Sequence, residues 1–187
     1  PGPATDILSD SGQFFAGINF ASQDYLGLAG HPAVAEAAVE ALRRFGPHSA
    51  GSPTLLGNTA LSLQLEHEIC ETLHMSDVAL FPTGWGAGFG AISALVRPYD
   101  HVVMDRLAHA CLQQGSAAAT KNVHRTDHLS VQAIRQQLQH IRHDDDQNLI
   151  LVITEGLFSM DADIPDIAAI QAACREFDAV LLVDVAH

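Results

Sequence analysis

The chain has 187 residues, of which 48% are hydrophobic, and a formal net charge of −13 at pH 7. This size and hydrophobic content predict a sizeable folded domain with its own core rather than a disordered chain. The strong negative charge argues against nucleic acid or an anionic membrane surface as the main partner. No apolar run reaches the length of a membrane span, and we find no signal peptide ahead of the domain, so no membrane association is expected.

Three cysteines, Cys70, Cys111 and Cys174, are widely spaced in helix-like sequence. An odd and scattered set of this kind fits a reducing compartment better than a disulfide framework. We therefore expect a cytoplasmic protein.

The first third of the chain shows helices without a regular alternation of elements. Proline at a first-turn position and a following glycine mark the ends of one helix, and a hydroxyl or amide side chain marks the start of another. The predicted elements are a loose segment over residues 1–16, a short strand over 17–21, a helix from Pro32 to about Phe45, a turn-rich segment over 47–57, and a helix from Asn58 or Thr59 to about His74.

From residue 78 onward, strand-like and helix-like segments alternate. Strands are predicted over 78–81, 101–104, near Val123, over 149–154 and over 179–183, and helices over 86–96, 110–119, 131–143 and 164–177. Such alternation predicts an α/β fold with a mostly parallel sheet flanked by helices. We divide the chain into an N-terminal segment and helix, residues 1–57, and a large domain, residues 58–187.

Polar residues gather where the predicted strands end. Because the carboxyl ends of parallel strands meet at one edge, where ligands bind in open α/β sheets, these residues are expected close together. The Thr83-Gly84-Trp85 turn opens a helix, and helix N-termini attract phosphate through unpaired N–H groups and the helix dipole. The other strand-end residues are Asp105, His109, Glu155, Ser159, Asp184 and His187.

Each of these residues also has a purely structural interpretation. Asp184 could pair with a cationic ring nitrogen, cap a helix or pair with an arginine. His109 could stack on a flat ligand, act as an acid or base, or simply satisfy a structural hydrogen bond. The two pairs Asp105/His109 and Asp184/His187 leave a metal hydrolase as a remote alternative, although we expect no metal.

Five ordered blocks of sequence extend from about Asn19 to His187. They read NFASQDYLGL from Asn19, FPTGW from Phe81, DRLAHA from Asp105, TEGLFSMD from Thr154 and VDVAH from Val183. Together they resemble the α-oxoamine synthase family of pyridoxal 5′-phosphate (PLP) enzymes, within the aspartate-aminotransferase fold type. The resemblance implies the large domain of the PLP-dependent transferase fold, truncated before the small C-terminal domain.

The resemblance also implies roles for individual residues. His109, Asp184 and His187 would be catalytic, with His109 stacked on the pyridine ring and Asp184 paired with its nitrogen. Gln23 stands where the family uses an asparagine that helps to hold the substrate carboxylate. The implied cofactor-binding residues are Thr83, Gly84, Trp85, His109, Glu155, Ser159, Asp184 and His187.

Members of this family condense an amino acid with an acyl-CoA to give an α-amino ketone, so the resemblance implies these two substrates, PLP and a homodimer. The Schiff-base lysine of the family lies downstream of the block that ends at His187. The single lysine of this chain, Lys121, is therefore not assigned that role. Two alternatives stay open: another enzyme of the same fold type, such as an aminotransferase or carbon–sulfur lyase, and a non-catalytic cofactor-binding or oligomerisation unit.

Overall fold

The computed structural model describes residues 4–187 and has two compact units, which divide between Ala79 and Leu80. The elements of the second unit are α3 (Gly84–Leu95), β3 (His101–Asp105), α4 (Ala110–Ala119), β4 (Asn122–Thr126), α5 (Val131–Asp144), β5 (Ile150–Glu155), α6 (Ile167–Glu176) and β6 (Val180–Asp184). The four strands form a parallel sheet in the order β4-β3-β5-β6. The predicted α/β fold is thus confirmed.

The sheet is covered on both faces because its strands carry apolar side chains on both. Val102 and Met104 of β3 pack in a cluster with residues of α3 and α4, whereas Val103 packs in a second cluster with α5 and α6. All six residues of β5 are buried. A continuous apolar run of this kind is typical of a central parallel strand.

Arg142 fastens the edge of the unit where the strands begin. Its guanidinium donates hydrogen bonds to the backbone carbonyls of Phe177, Asp178 and Asn148, each at 2.8 Å, and of Asp145 at 3.2 Å. These carbonyls belong to the segments that lead into β5 and β6. One side chain therefore joins the end of α5 to the amino ends of two neighbouring strands.

The first unit contains β1 (Ala4–Leu8), β2 (Phe14–Ile18), α1 (Pro32–Phe45), a π-helical turn (Pro53–Gly57) and α2 (Ala60–Leu73). β1 and β2 form an antiparallel hairpin, so the expectation of a loose segment before a strand at 17–21 is wrong. Gly12, at φ +81°, and Ser9 close its turn. The helix bounds match the prediction, and Thr59 caps α2 by accepting the N–H of Ser62 at 3.2 Å.

Two elements predicted after residue 77 differ in the structure. Residues 78–81 do not form a strand, because no strand within residues 4–187 pairs with them. The last helix begins at Ile167 rather than at 164, because the side chain of Asp166 caps it by accepting the N–H of Ala169 at 2.9 Å. None of the described helices combines the length and the apolar character needed to cross a membrane.

Candidate active site

Three strands of the parallel sheet end in acidic residues at the same edge. Asp105 closes β3, Glu155 closes β5 and Asp184 closes β6. Glu155 and Asp184 are direct neighbours in the register of β5 and β6. The N–H of Gly156 donates to the carbonyl of Asp184 at 2.7 Å, which extends the pairing past the strand ends. Two carboxylates therefore start from adjacent positions.

Glu155 connects this edge to the start of α4. Its Oε1 accepts the backbone N–H of His109 at 2.6 Å, and the residue is 4% exposed. Burial raises the pKa of Glu155; the N–H of His109 opposes this rise, and the charge of Asp184 adds to it. The carboxylate of Glu155 thus holds the backbone of His109 in place, and its pKa depends on the charge of Asp184.

The ring of His109 acts as the N-cap of α4. Its Nδ1 lies 3.3 Å from the backbone N–H donor of Cys111 and 3.0 Å from the Sγ of Cys111. Because Nδ1 accepts a hydrogen bond from the backbone, the neutral ring carries its proton on Nε2. Burial and then the charge of Asp184 raise the pKa of the Cys111 thiol, which keeps it protonated and able to donate to the ring.

The start of α3 supplies backbone donors and an aromatic ring. Thr83 caps the helix by accepting the N–H of Gly86 at 3.0 Å, and the first turn contains no acidic residue. Gly84 has open space where a Cβ would be, with no atom within 4 Å. The Trp85 ring, 6.0 Å from that of His109 and at 77° to it, places this turn beside the other site residues.

The remaining predicted site residues are His187, Ser159 and Gln23. His187 lies near enough for its charge to lower the pKa of Glu155. Ser159 is exposed in the loop between β5 and α6, four residues beyond Glu155. Gln23 belongs to the first unit, where its carbonyl accepts the N–H of Tyr25 at 2.9 Å. The structure thus brings together Trp85, His109, Glu155, Asp184 and His187.

Two features of this edge were missed by the sequence analysis. One is the contact of Cys111 with His109. The other is His128, whose ring nitrogens both face carboxylates, those of Asp105 and Asp163. The sequence signal for His128 was its position five residues after Val123, near which a short strand was predicted.

The same cluster bears on the metal alternative. Within residues 4–187, the group of possible metal-ligand atoms that come within 4.8 Å of one another comprises His128, Asp161 and Asp163. None of the four residues of the metal-hydrolase alternative belongs to it. Both nitrogens of His128 already face carboxylates, so we interpret the group as an ion-pair cluster.

Comparisons with known proteins show which proteins this chain is similar to. The 8-amino-7-oxononanoate synthase 1 of Polaromonas sp. is 37% identical over 170 residues, which are 91% of this chain and 41% of that protein. The serine palmitoyltransferase of Sphingomonas wittichii superposes with a TM-score of 0.89 at 26% identity, over 97% of this chain and 44% of that one. A variant of serine palmitoyltransferase from S. paucimobilis with bound PLP–myriocin aldimine gives a TM-score of 0.85 at 27% identity, over 90% of this chain and 42% of that one.

The chain spans less than half the length of these relatives. Its likeness to serine palmitoyltransferases and 8-amino-7-oxononanoate synthases confirms the resemblance to α-oxoamine synthases that the five sequence blocks indicated. The family model for aminotransferase class I and II matches residues 16–187. The chain therefore belongs to the aminotransferase class I and II family.

Proposed function

We propose that the protein containing this chain is a PLP-dependent acyltransferase, similar to 8-amino-7-oxononanoate synthase. It would condense an amino acid with an acyl-CoA to give an α-amino ketone. The name of the relative supports this reaction, because its product carries an amino group on the carbon next to a ketone. The likeness to a serine palmitoyltransferase with bound PLP supports the cofactor.

The donors and acceptors at the sheet edge fit PLP chemically. The start of α3 offers backbone N–H groups and a positive helix end for a phosphate, with open space at Gly84. Asp184 offers a carboxylate for a protonated ring nitrogen. The rings of Trp85 and His109 are flat and partly exposed, as a site for an aromatic ring requires.

Each residue then has a defined task. Thr83, Gly84 and Trp85 bind the phosphate, His109 stacks on the pyridine ring, and Asp184 holds a proton at the ring nitrogen. Ser159 and His187 bind the phenolic oxygen. PLP, when bound, supplies an electron sink for negative charge at the α-carbon of the amino acid.

The other proposed parts of the machinery act around these residues. Glu155 positions His109 through its main-chain N–H, and Gln23 binds the substrate carboxylate. We also propose a homodimer that works in the cytoplasm.

The single observation that carries the proposal is the hydrogen bond from His109 to Glu155, beside Asp184 in the sheet register. The proposal can be tested directly by replacing Asp184. Replacement of a charge-assisted contact costs about 1.5–3 kcal/mol, so Asp184→Asn should weaken PLP binding about ten- to a hundredfold. Calorimetric titration of the intact apo-protein with PLP measures this. Asp146→Asn is the matched control, because Asp146 is an exposed acid in the segment before β5, where that strand begins.

Equal PLP affinity of the two variants would overturn the assignment of Asp184. The reaction is tested separately by mixing the PLP-loaded intact protein with amino acids and acyl-CoA. Release of free CoA thiol is expected. Formation of a 2-oxo acid without CoA release would instead identify an aminotransferase.

A further inference from the structure

His128 contacts carboxylates through both nitrogens of its ring. Its Nδ1 lies 2.9 and 3.0 Å from the two oxygens of Asp105, and its Nε2 lies 3.2 and 3.1 Å from those of Asp163. An imidazole donates at both nitrogens only when it is protonated. The geometry is therefore that of an imidazolium between two carboxylates.

The surroundings hold this cation in a fixed position. Asp105 is 4% exposed, and it also accepts the N–H of Leu107 at 2.8 Å and of Leu129 at 2.9 Å. The rings of His128 and Phe158 form a T-shaped pair, with the ring centroids 4.6 Å apart and the planes at 87°. The side chain of His128 is 15% exposed. Packing and hydrogen bonds thus define its orientation.

Three loops meet at this side chain. Asp105, the last residue of β3, precedes the loop that leads to His109, and His128 itself lies in the loop between β4 and α5. Asp163 and Phe158 lie in the loop between β5 and α6, which also carries Ser159. That last loop is closed on itself by the N–H of Phe158, which donates to the carbonyl of Asp163 at 3.0 Å.

We propose that His128, as an imidazolium, is a positioning residue that fixes the loop over residues 156–166 against the end of β3 and thereby places Ser159 at the cofactor site. This inference rests on the proposed function only for the role of Ser159. His128 touches no reacting atom. Its effect is on the order of the loop, and hence on the affinity for PLP.

The charges that face His128 make this device depend on pH. They are Asp105 from β3, Asp163 and the exposed Asp161 from the loop after β5, and, further out, the exposed ion pair of Arg106 with Asp127 at 3.1 Å. Burial alone would lower the pKa of His128, but its hydrogen bonds with Asp105 and Asp163 and their charges raise it overall above 6.5.

The sign follows from the raised pKa in the folded state. The stabilisation is fully present below the unfolded-state pKa of about 6.5, and it is lost as the pH rises through the higher folded-state value. The loop should therefore be ordered at mildly acidic and neutral pH and loosen in alkaline solution.

The first test is hydrogen exchange of residues 156–166 in the intact protein without PLP. Protection factors are corrected for the intrinsic pH dependence of exchange and compared between about pH 6 and about pH 9. The wild type should lose protection about tenfold or more over this range, and His128→Gln should have low protection throughout. His143→Gln is the matched control, because it makes the same substitution at an exposed histidine at the end of α5, away from this loop. Equal protection in wild type and His128→Gln would overturn the proposal.

The second test separates positioning from general damage to the fold. The Kd for PLP of His128→Gln should exceed that of the wild type at about pH 6, and the ratio should approach one at about pH 9, where the wild type has also lost the cation. A ratio that is constant with pH would overturn the proposal. If His128→Gln does not fold, NMR titration of the His128 ring in the wild type decides, because a pKa at or below about 6.5 excludes a stabilised imidazolium. Failure of the wild type to bind PLP would count against the proposed function, whereas the exchange result stands without the cofactor.

Discussion

The backbone N–H of His109 donates to Oε1 of Glu155 at 2.6 Å, which joins the first residue before α4 to the last residue of β5. The bond spans 46 positions of the sequence and is mostly shielded from water, since Glu155 is 4% exposed. This hydrogen bond fixes the position of the His109 backbone relative to the end of β5. Glu155 also lies beside Asp184 in the sheet register. Its carboxylate therefore makes a structural hydrogen bond and is at the same time repelled by a neighbouring carboxylate.

Glu155→Gln should make the folded protein more stable at neutral pH. The amide oxygen can still accept the N–H of His109, but the charge beside Asp184 is gone. Because the pKa of Glu155 is raised, the folded state favours the protonated acid. Its contribution to stability is best below the unfolded-state pKa of about 4.5 and is lost as the pH rises through the folded-state value. Urea unfolding should show a gain at about pH 7 that shrinks towards about pH 4. A gain that is the same at both pH values would contradict this explanation.

Gly88→Ala should destabilise the second unit by about 1–2 kcal/mol. A Cβ at this position would lie 2.8 Å from Sγ of Cys111 and 3.2 Å from Cδ2 of Leu112, and both of these residues are buried. Overpacking costs about 1–3 kcal/mol, which exceeds the helix-propensity gain of about 0.5–1 kcal/mol. Gly84→Ala is the control, because no atom lies within 4 Å of its Cβ position. Thermal unfolding without cofactor compares the two, and equal midpoints would show that α3 and α4 can move apart freely.

Alkylation should distinguish the three cysteines of the native protein. Burial raises the pKa of Cys174 to about 11, and Cys174 and Cys111 are 0% and 2% exposed. Cys70 is half-buried. Because the thiolate is the reactive form, N-ethylmaleimide should modify Cys70 first and the other two at the rate of local opening. Peptide mass mapping over time checks the order. Modification of Cys174 as fast as Cys70 would mean that α6 opens readily.

Lys121→Ala should leave PLP binding unchanged. Lys121 is exposed and directly precedes β4, whereas the site residues follow the carboxyl ends of the parallel strands. A five-residue strand separates the two edges by about 17 Å, so the amine cannot reach the site. Calorimetric titration of the variant with PLP measures the affinity, and borohydride reduction of the PLP-treated wild type, followed by mass mapping, locates any covalently bound PLP. Stoichiometric PLP on Lys121 would overturn both this prediction and the placement of the Schiff-base lysine downstream.

Local signals in the sequence were enough for most of the elements. Proline, glycine and hydroxyl caps define α1 and α2, and the apolar run of β5 identifies a central strand. The acids at strand ends could be found because a parallel sheet brings those ends to one edge. The expected strand at 78–81 failed because a strand depends on a neighbour, and that information is not local.

The details of the site were less accessible. The order β4-β3-β5-β6 places β3 between two strands that follow it in the chain, and this crossover decides that Glu155 rather than Asp105 stands next to Asp184. The contact of His128 with Asp163 joins residues 35 positions apart. Neither follows from periodicity or capping, because both depend on how the elements are arranged in space.

Arg142 and the acids at the carboxyl edge lie at opposite ends of the same strands. Substitutions that impair folding and substitutions that impair the site should therefore occur at different ends of the sheet. Substitutions around the carbonyls bound by Arg142 should yield temperature-sensitive alleles that act normally once folded. Substitutions at the opposite end should yield alleles that accumulate normally but bind PLP poorly. A random library screened for both protein abundance and PLP binding would therefore divide along the axis of the strands.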